Sequence, residues 1–359
     1  MTGKTVFSLS ALALLITGAA LYAGPLDPPA GPVTSTAKTL GEVEPRIAVN
    51  ATNTVGDANS LLRISQPGSY YLTGNITGVA AKHGIKIDAS GVTLDLNGFS
   101  LIGIAGSLDG INIPTFRENV VIRNGHIRGW SESGIEGRID AGRIEHITAV
   151  DNGAWGIDNT SASLTTHISS CETLTNGALV AASGGIRSGT ASLITDCLAV
   201  SNATIGISAG ASSTVRGCVS RTNGTNGIVV SSTSVVTNCS VVANTGNGIE
   251  VTGGCRIVGN TCVTNRNATG TGAGIRAISN DSLIEGNVCN DANRGIEVGG
   301  FGNIIIRNYC SGNTTDWFIA GNNVVGPILD RRAPAAAAIN GFSFVGSLGT
   351  TDPNANFSY

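Results

Sequence analysis

Between residues 60 and 325 the chain alternates apolar and polar residues in short runs broken by Gly, Asn, Ser and Thr. A period of two marks strands with one buried face, and nothing between the runs carries the 3.6-residue period of a helix. The runs also repeat. A Gly-Ile pair falls at Gly84, Gly110, Gly134, Gly156, Gly185, Gly206, Gly227, Gly248, Gly274 and Gly295, at intervals of 21 to 29 residues. One further pair, Gly103-Ile104, is out of phase. The periods GISAGASSTVRGCVSRTNGTN from Gly206 and GIVVSSTSVVTNCSVVANTGN from Gly227 each hold three short runs. A leucine-rich repeat would need its leucine framework, and a propeller blade would need about 40 residues. Three strands per period instead predict an all-β parallel solenoid in which each period is one coil, stacked about 4.8 Å on the last.

Stacked coils turn matching positions into columns. Just after the second run a polar residue recurs at Asn97, Asn124, His146, His167, Asp196, Gly217, Asn238, Asn260, Asn287 and Asn308. Stacked Asn side chains can hydrogen-bond to the coils above and below. Four residues before the glycine, Asn152, Asn202, Asn223 and Asn244 suit the left-handed geometry of a tight corner. Cys197, Cys218 and Cys239 each stand twelve residues after their glycine. Cys171, Cys262, Cys289 and Cys310 are read into the same column, and Cys255 falls outside it. That register predicts buried thiols serving as small apolar residues. Disulfides between neighbouring coils are the alternative, because the coil spacing is within their Cα range, although in-register parallel side chains orient poorly for them.

The Gly-Ile-x-Ile/Val strand starts, Val92-Thr93-Leu94-Asp95-Leu96-Asn97-Gly98, and endings such as Ile284-Glu285-Gly286-Asn287 resemble the parallel β-helix repeats of the pectate-lyase-like superfamily. The resemblance covers roughly residues 60–325 and implies a right-handed parallel β-helix of about 11–12 coils. It implies little about activity, since that superfamily holds lyases, hydrolases, epimerases, adhesins and other secreted proteins. Residues 61–76 match the opening coil of such domains.

Outside the repeats, residues 1–23 read as a secretory signal: Lys4 precedes an apolar stretch from Val6 to Ala20, with cleavage after Ala20 or Ala23. Residues 24–59 read as a Pro-rich linker and N-terminal cap, with one short helix over Thr36 to Glu44. Residues 60–332 form the β-helix domain, and 333–359 a C-terminal tail or cap that covers the last coil or trails from it. The expected location is secreted, periplasmic or cell-surface, with no membrane span after signal cleavage.

Composition agrees and narrows the function. Glycine supplies 50 of 359 residues, about twice the usual share, and charged residues only 13%. With 41% hydrophobic residues and a net charge of −3 the chain is not disordered. Its glycines do not fall every third residue, which excludes collagen. The pI of 5.8 excludes nucleic-acid binding through a basic surface.

Chemistry has to sit on exposed columns. By the superfamily resemblance substrate lies against the Gly-Ile strand and the loops before it. Two residues after each glycine the outward position reads Lys86, Asn112, Glu136, Asp158, Arg187, Ser208, Val229, Glu250, Arg276 and Glu297. Glu136 and Asp158 on adjacent coils form a carboxylate pair suited to acid–base work on a glycosidic bond, with Arg187 stabilising charge. Trp130 and Trp155 flank the same coils as sugar-stacking platforms. The plainer reading is a solvated charge stripe with corner tryptophans packed on the rod. Insertions at 178–184 and 266–273 would wall a shallow groove between them. His146 and His167, stacked on adjacent coils, lack a third ligand, so turn bonding accounts for them and no metal or other cofactor is expected.

The signatures of known β-helix enzymes are missing. There is no Asn-Thr-Asp, paired Asp, Gly-His-Gly or Arg-Ile-Lys set, no Asp-Pro-His and no acidic calcium cluster. Gly299-Gly300-Phe301-Gly302-Asn303 lacks the Asp of the calcium-binding repeat. The sequence therefore points to a secreted rod that binds an extracellular polysaccharide or cell-surface glycan, or serves as structure, without catalysis. The alternative is a polysaccharide lyase or glycoside hydrolase acting through Glu136 and Asp158.

Overall fold

A computed structural model describes residues 45–160, 165–181, 183–330 and 351–358. The signal segment, the helix expected over Thr36 to Glu44 and most of the C-terminal tail lie outside these residues. Among the described residues there are strands and turns but no helix.

The fold is a parallel β-solenoid of about twelve turns. Each Gly-Ile repeat supplies one strand to a 12-stranded parallel sheet running from Ser60–Ile64 to Thr315–Ile319. The other two strands of each coil, such as Thr214–Arg216 and Val219–Arg221, belong to a single 24-stranded sheet. Pairing starts upstream of residue 60, with Ile47–Ala48 laid parallel on Tyr70-Tyr71. At the far end Asn356–Ser358 adds a strand beside Tyr309-Cys310 and Ile328–Asp330.

The Gly-Ile pair explains itself in this stack. Its isoleucines lie in direct register from Ile85 through Ile157, Ile207 and Ile249 to Ile296, and each is fully buried. An inward column of the second sheet matches it with Ile122, Ile144, Ile168, Ile194 and Val215. Each such side chain contributes about 1.5–3 kcal/mol on burial, so the stack of coils carries the stability of the rod. The glycines answer to close approach rather than unusual φ. A Cβ on Gly84 would lie 2.5 Å from the Gly110 carbonyl oxygen, and one on Gly134 2.5 Å from that of Gly156.

Three predicted columns need correction. Asn152, Asn202, Asn223 and Asn244 do not take the left-handed geometry, which falls on Asp151, Ser201, Thr222 and Ala243 just before them. The corner after the second run is a left-handed position, held by Asn97, Asn124, His146, Asp196, Gly217 and Asn238 of the predicted polar column. In the remaining coils the residues that take it are Ser170, Gly259, Gly286 and Arg307, not His167, Asn260, Asn287 and Asn308. Those three asparagines follow it by one residue and continue the line of Cys171, Cys197, Cys218 and Cys239. The Cys239 N–H donates to Asn260 Oδ1 at 2.9 Å, Asn260 to Asn287 at 2.9 Å, and Asn287 to Asn308 at 2.9 Å. Cys262, Cys289 and Cys310 belong to another column two residues further on, in register with Ala199, Ser220 and Val241. Two positions bracketing one outward residue both face inward, so alternation alone does not separate them. All eight cysteines are free and buried. Burial pushes the Cys262 and Cys289 thiols well above the ordinary range, which keeps them protonated.

Candidate functional site

The outward column of the 12-stranded sheet runs in unbroken register from Lys86 through Asn112, Glu136, Asp158 and Arg187 to Ser208. A second column, one residue before each glycine, sets His83, Asp109, Ser133 and Trp155 beside it. Over these two columns lies an open groove of about 570 Å³, walled on one side by Val180, Ala181 and Ser183. The insertion at 178–184 thus forms a wall, but over the coils that precede it. The groove does not occupy the stretch between the two insertions, as sequence spacing suggested.

The structure brings Glu136, Asp158 and Arg187 together and gives them unequal states. Asp158, 1% exposed, accepts from Arg187 Nε at 2.9 Å and from Arg187 Nη2, and Thr160 Oγ1 adds a bond at 2.8 Å. This bidentate pairing, with the Asp158 charge beside it, raises the Arg187 pKa. Glu136 is left with one donor, Ser133 Oγ at 3.2 Å. Partial burial, then the charges of Asp158 and Asp109, push its carboxyl up to about 7. Glu136 therefore holds a proton into the neutral range, while Asp158 has both oxygens engaged. The pair is one proton donor beside one neutralised anion, not two carboxylates free to divide acid and nucleophile roles.

The tryptophans part company. Trp130 is 1% exposed and belongs to the core, which overturns its assignment as a sugar platform. It follows the left-handed Gly129 as Asn152 follows the left-handed Asp151. Its backbone N–H donates to Asn152 Oδ1 at 3.1 Å, just as Asn152 donates to Asn176. Trp130 thus starts the inward Asn ladder of the corner. Its ring fills the space that Gly78 and Gly84 leave empty, and Nε1 donates to the Leu101 carbonyl at 3.3 Å. The spacing of four residues before the glycine, shared by Trp130 and Asn152, already signalled this. Trp155 does line the groove, but it is 5% exposed, with the Arg187 guanidinium 4.9 Å above its ring. The face expected to meet a sugar is covered by an arginine.

Sequence reasoning missed the other end of the groove. Asp109, buried, accepts from Asn112 Nδ2 at 2.8 Å and from the Ser133 N–H at 2.9 Å. Its own N–H donates to His83 Nδ1 at 3.1 Å, and its Oδ2 lies 3.1 Å from the same nitrogen. Glu132 stands exposed at the rim, its carboxyl raised by desolvation and by the Asp109 charge, with His83 acting the other way. One ligand atom each from His83, Asp109 and Glu132 lie within 4.8 Å of one another, a donor set that a divalent cation can use. The column one residue before the glycine was the signal for His83 and Asp109. His146 and His167, expected to stack, do not: His146 takes the left-handed corner, while His167 pairs with Arg143 and Leu193 and bonds Thr195 Oγ1 at 3.1 Å.

A solenoid of this register, with its groove on the Gly-Ile sheet, defines a β-helix repeat protein. The chain belongs to the right-handed β-helix family, whose model, described as a right handed beta helix region, matches residues 73–266. No curated protein matches the sequence. Among solved structures it is similar to the A-modules of two mannuronan C-5 epimerases of Azotobacter vinelandii. For AlgE6 the identity is 15%, with a TM-score of 0.61 over 78% of this chain and 86% of that one. For AlgE4 the identity is 14%, with a TM-score of 0.56 over 78% and 88%. A tailspike of E. coli bacteriophage HK620, solved with a hexasaccharide, shows 12% identity and a TM-score of 0.42 over 84% and 71%. At these identities the likeness is one of fold. No helix among the described residues is long and apolar enough to cross a membrane.

Proposed function

We propose that this protein is an exported rod that holds a stretch of polysaccharide in the groove on its Gly-Ile sheet, without transforming it. The carrying observation is the groove itself, which places Asp109, Glu132, Glu136 and Asn112 beside an open channel along rigid, paired strands. Carboxyl and amide groups fixed on strands are the hydrogen-bonding equipment that sugar hydroxyls require, and they need no further ordering on binding. Two mannuronan epimerase modules, named for a polysaccharide, share the fold, but the reading rests on the groove.

A second reading, glycosidic-bond cleavage, is favoured by one observation: Glu136 keeps its proton near neutral pH, as a general acid must. Against it, Asp158 is buried and bound to Arg187 through both oxygens, which leaves the expected partner carboxylate neutralised and out of a substrate's reach. The two readings separate on one panel. Purified protein is incubated with neutral, cationic and uronate polysaccharides, and both retention and released product are measured, with Glu136→Gln in parallel. Retention without product supports binding. Product that disappears in Glu136→Gln supports cleavage. No retention and no product from any polymer overturns both.

A further inference from the structure

Resting on the binding reading, we propose that the polymer this groove selects carries protonated amino groups, as a glycan of free hexosamine units does, rather than carboxylates. The argument is one of unmatched charge in a shaped channel. Four carboxyl groups line the groove: Asp109, Glu132, Glu136 and Asp158. Among its described lining residues Arg187 is the one Lys or Arg, and both oxygens of Asp158 engage it. The lysines nearest in sequence are drawn elsewhere. Lys82 Nζ donates to the Asp57 carbonyl at 2.8 Å, and Lys86 Nζ lies 3.2 Å from Asp57 and 3.3 Å from Asp88. Asp109, Glu132 and Glu136 therefore have no Lys or Arg partner in the channel, and their neighbours there are His83, Asn112 and Ser133.

A uronate chain would bring further negative charge into that field. Neutral sugars would leave it unbalanced. An ammonium group offers three donors and one positive charge to Glu132 and Glu136, the lining carboxyl groups that the protein bonds least. The carboxyl groups also fall on successive coils, with Asp109 before Gly110, Glu132 and Glu136 around Gly134, and Asp158 after Gly156. A β-linked hexose advances by about 5 Å, close to the ~4.8 Å step between coils, so a polymer along the rod axis passes roughly one sugar per coil. Glu136 supports the same conclusion, because an arriving cation would drive off the proton it now holds.

The test is calorimetry on the full chain with three oligosaccharides of equal length in EDTA: glucosamine, N-acetylglucosamine and a uronate. The expected result is glucosamine binding at least about tenfold more tightly than its acetylated form, with none of the uronate. It should weaken about tenfold in Glu132→Gln, a rim substitution that leaves the core untouched, and weaken further with salt. Titrations in buffers of different ionisation heat should show net proton release, abolished in Glu136→Gln. Equal binding of the acetylated oligomer overturns the proposal while leaving the groove a glycan site. So does uronate binding, including binding that appears only when calcium or zinc replaces EDTA and loads His83, Asp109 and Glu132. Failure of all three oligomers overturns the binding reading itself.

Discussion

Along the outward column of the Gly-Ile sheet, Glu250, Arg276 and Glu297 alternate in sign, whereas Glu136, Asp158 and Arg187 place two acids before one base. In the first stretch Arg276 bridges Glu250 at 3.3 Å and Glu297 at 3.2 Å, and Arg294 reaches Glu297 at 2.9 Å. Asn247 Nδ2 adds a bond to Glu250 at 2.7 Å. Every carboxylate there has a cation. In the second stretch the arginine satisfies the acid next to it and leaves Glu136 with a serine. Both stretches hold two acids and one arginine on the same column of parallel strands, so the order of charges along the stack separates them. Alternation makes a passive ladder, and a doubled acid makes a protonated one. The wall formed by Val180, Ala181 and Ser183 stands beside the doubled acid.

The largest test of this contrast goes through what lies beneath the acidic stretch. Trp130→Ala should cost about 3–5 kcal/mol in denaturant unfolding, because a fully buried ring that fills the space of two glycines leaves a cavity behind. A loss below about 1 kcal/mol would return Trp130 to the surface and reopen its role as a sugar platform. Next comes the pair of arginines. Arg187→Ala strands a buried carboxylate and should cost about 3 kcal/mol, the low end for a broken buried pair because Arg187 is itself partly exposed. Arg276→Ala should cost no more than about 1 kcal/mol, since Arg294 still holds Glu297 and Asn247 still bonds Glu250. Equal losses in the two variants, measured by the same unfolding curves, would erase the distinction between the stretches.

Much of this was legible in the chain. The Gly-Ile spacing located all ten strand starts, and the alternation located the outward column that bears Glu136, Asp158 and Arg187, because both follow from the two-residue period of a strand. Columns near the corners were harder. Cys239 and Cys262, twelve and fourteen residues after their glycines, both suit an inward place by alternation, yet they hold positions two residues apart, on either side of an outward residue. Trp130 was readable as a ladder residue from its offset alone, but a rare aromatic near two acids resembles a site more than a corner. His83 and Asp109 escaped because they stand two residues before the buried Ile85 and Ile111, a place that the two-residue period assigns to the inward face. The Arg187 clamp on Asp158 was legible too, because register sets Arg187 directly beside Asp158 and leaves Glu136 one coil further away. What register does not give is the resulting shift of Glu136, which depends on burial and on Asp109.

A pH titration sharpens the contrast most. Glu136 titrates near 7 in the folded chain and near 4.3 unfolded, so the folded state binds this proton more tightly. The stability this confers is fully present below about pH 4.3 and is lost as pH rises through 7. Glutamine mimics the protonated acid. Glu136→Gln should therefore match the parent at about pH 4 and exceed it at about pH 8 in denaturant midpoint. Glu297→Gln should do the reverse at neutral pH, lowering the midpoint, because Arg276 and Arg294 lose the charge they both face. If the Glu136→Gln difference stays flat across that range, Glu136 is ionised and paired like its counterparts, and the two stretches are one continuous charge ladder.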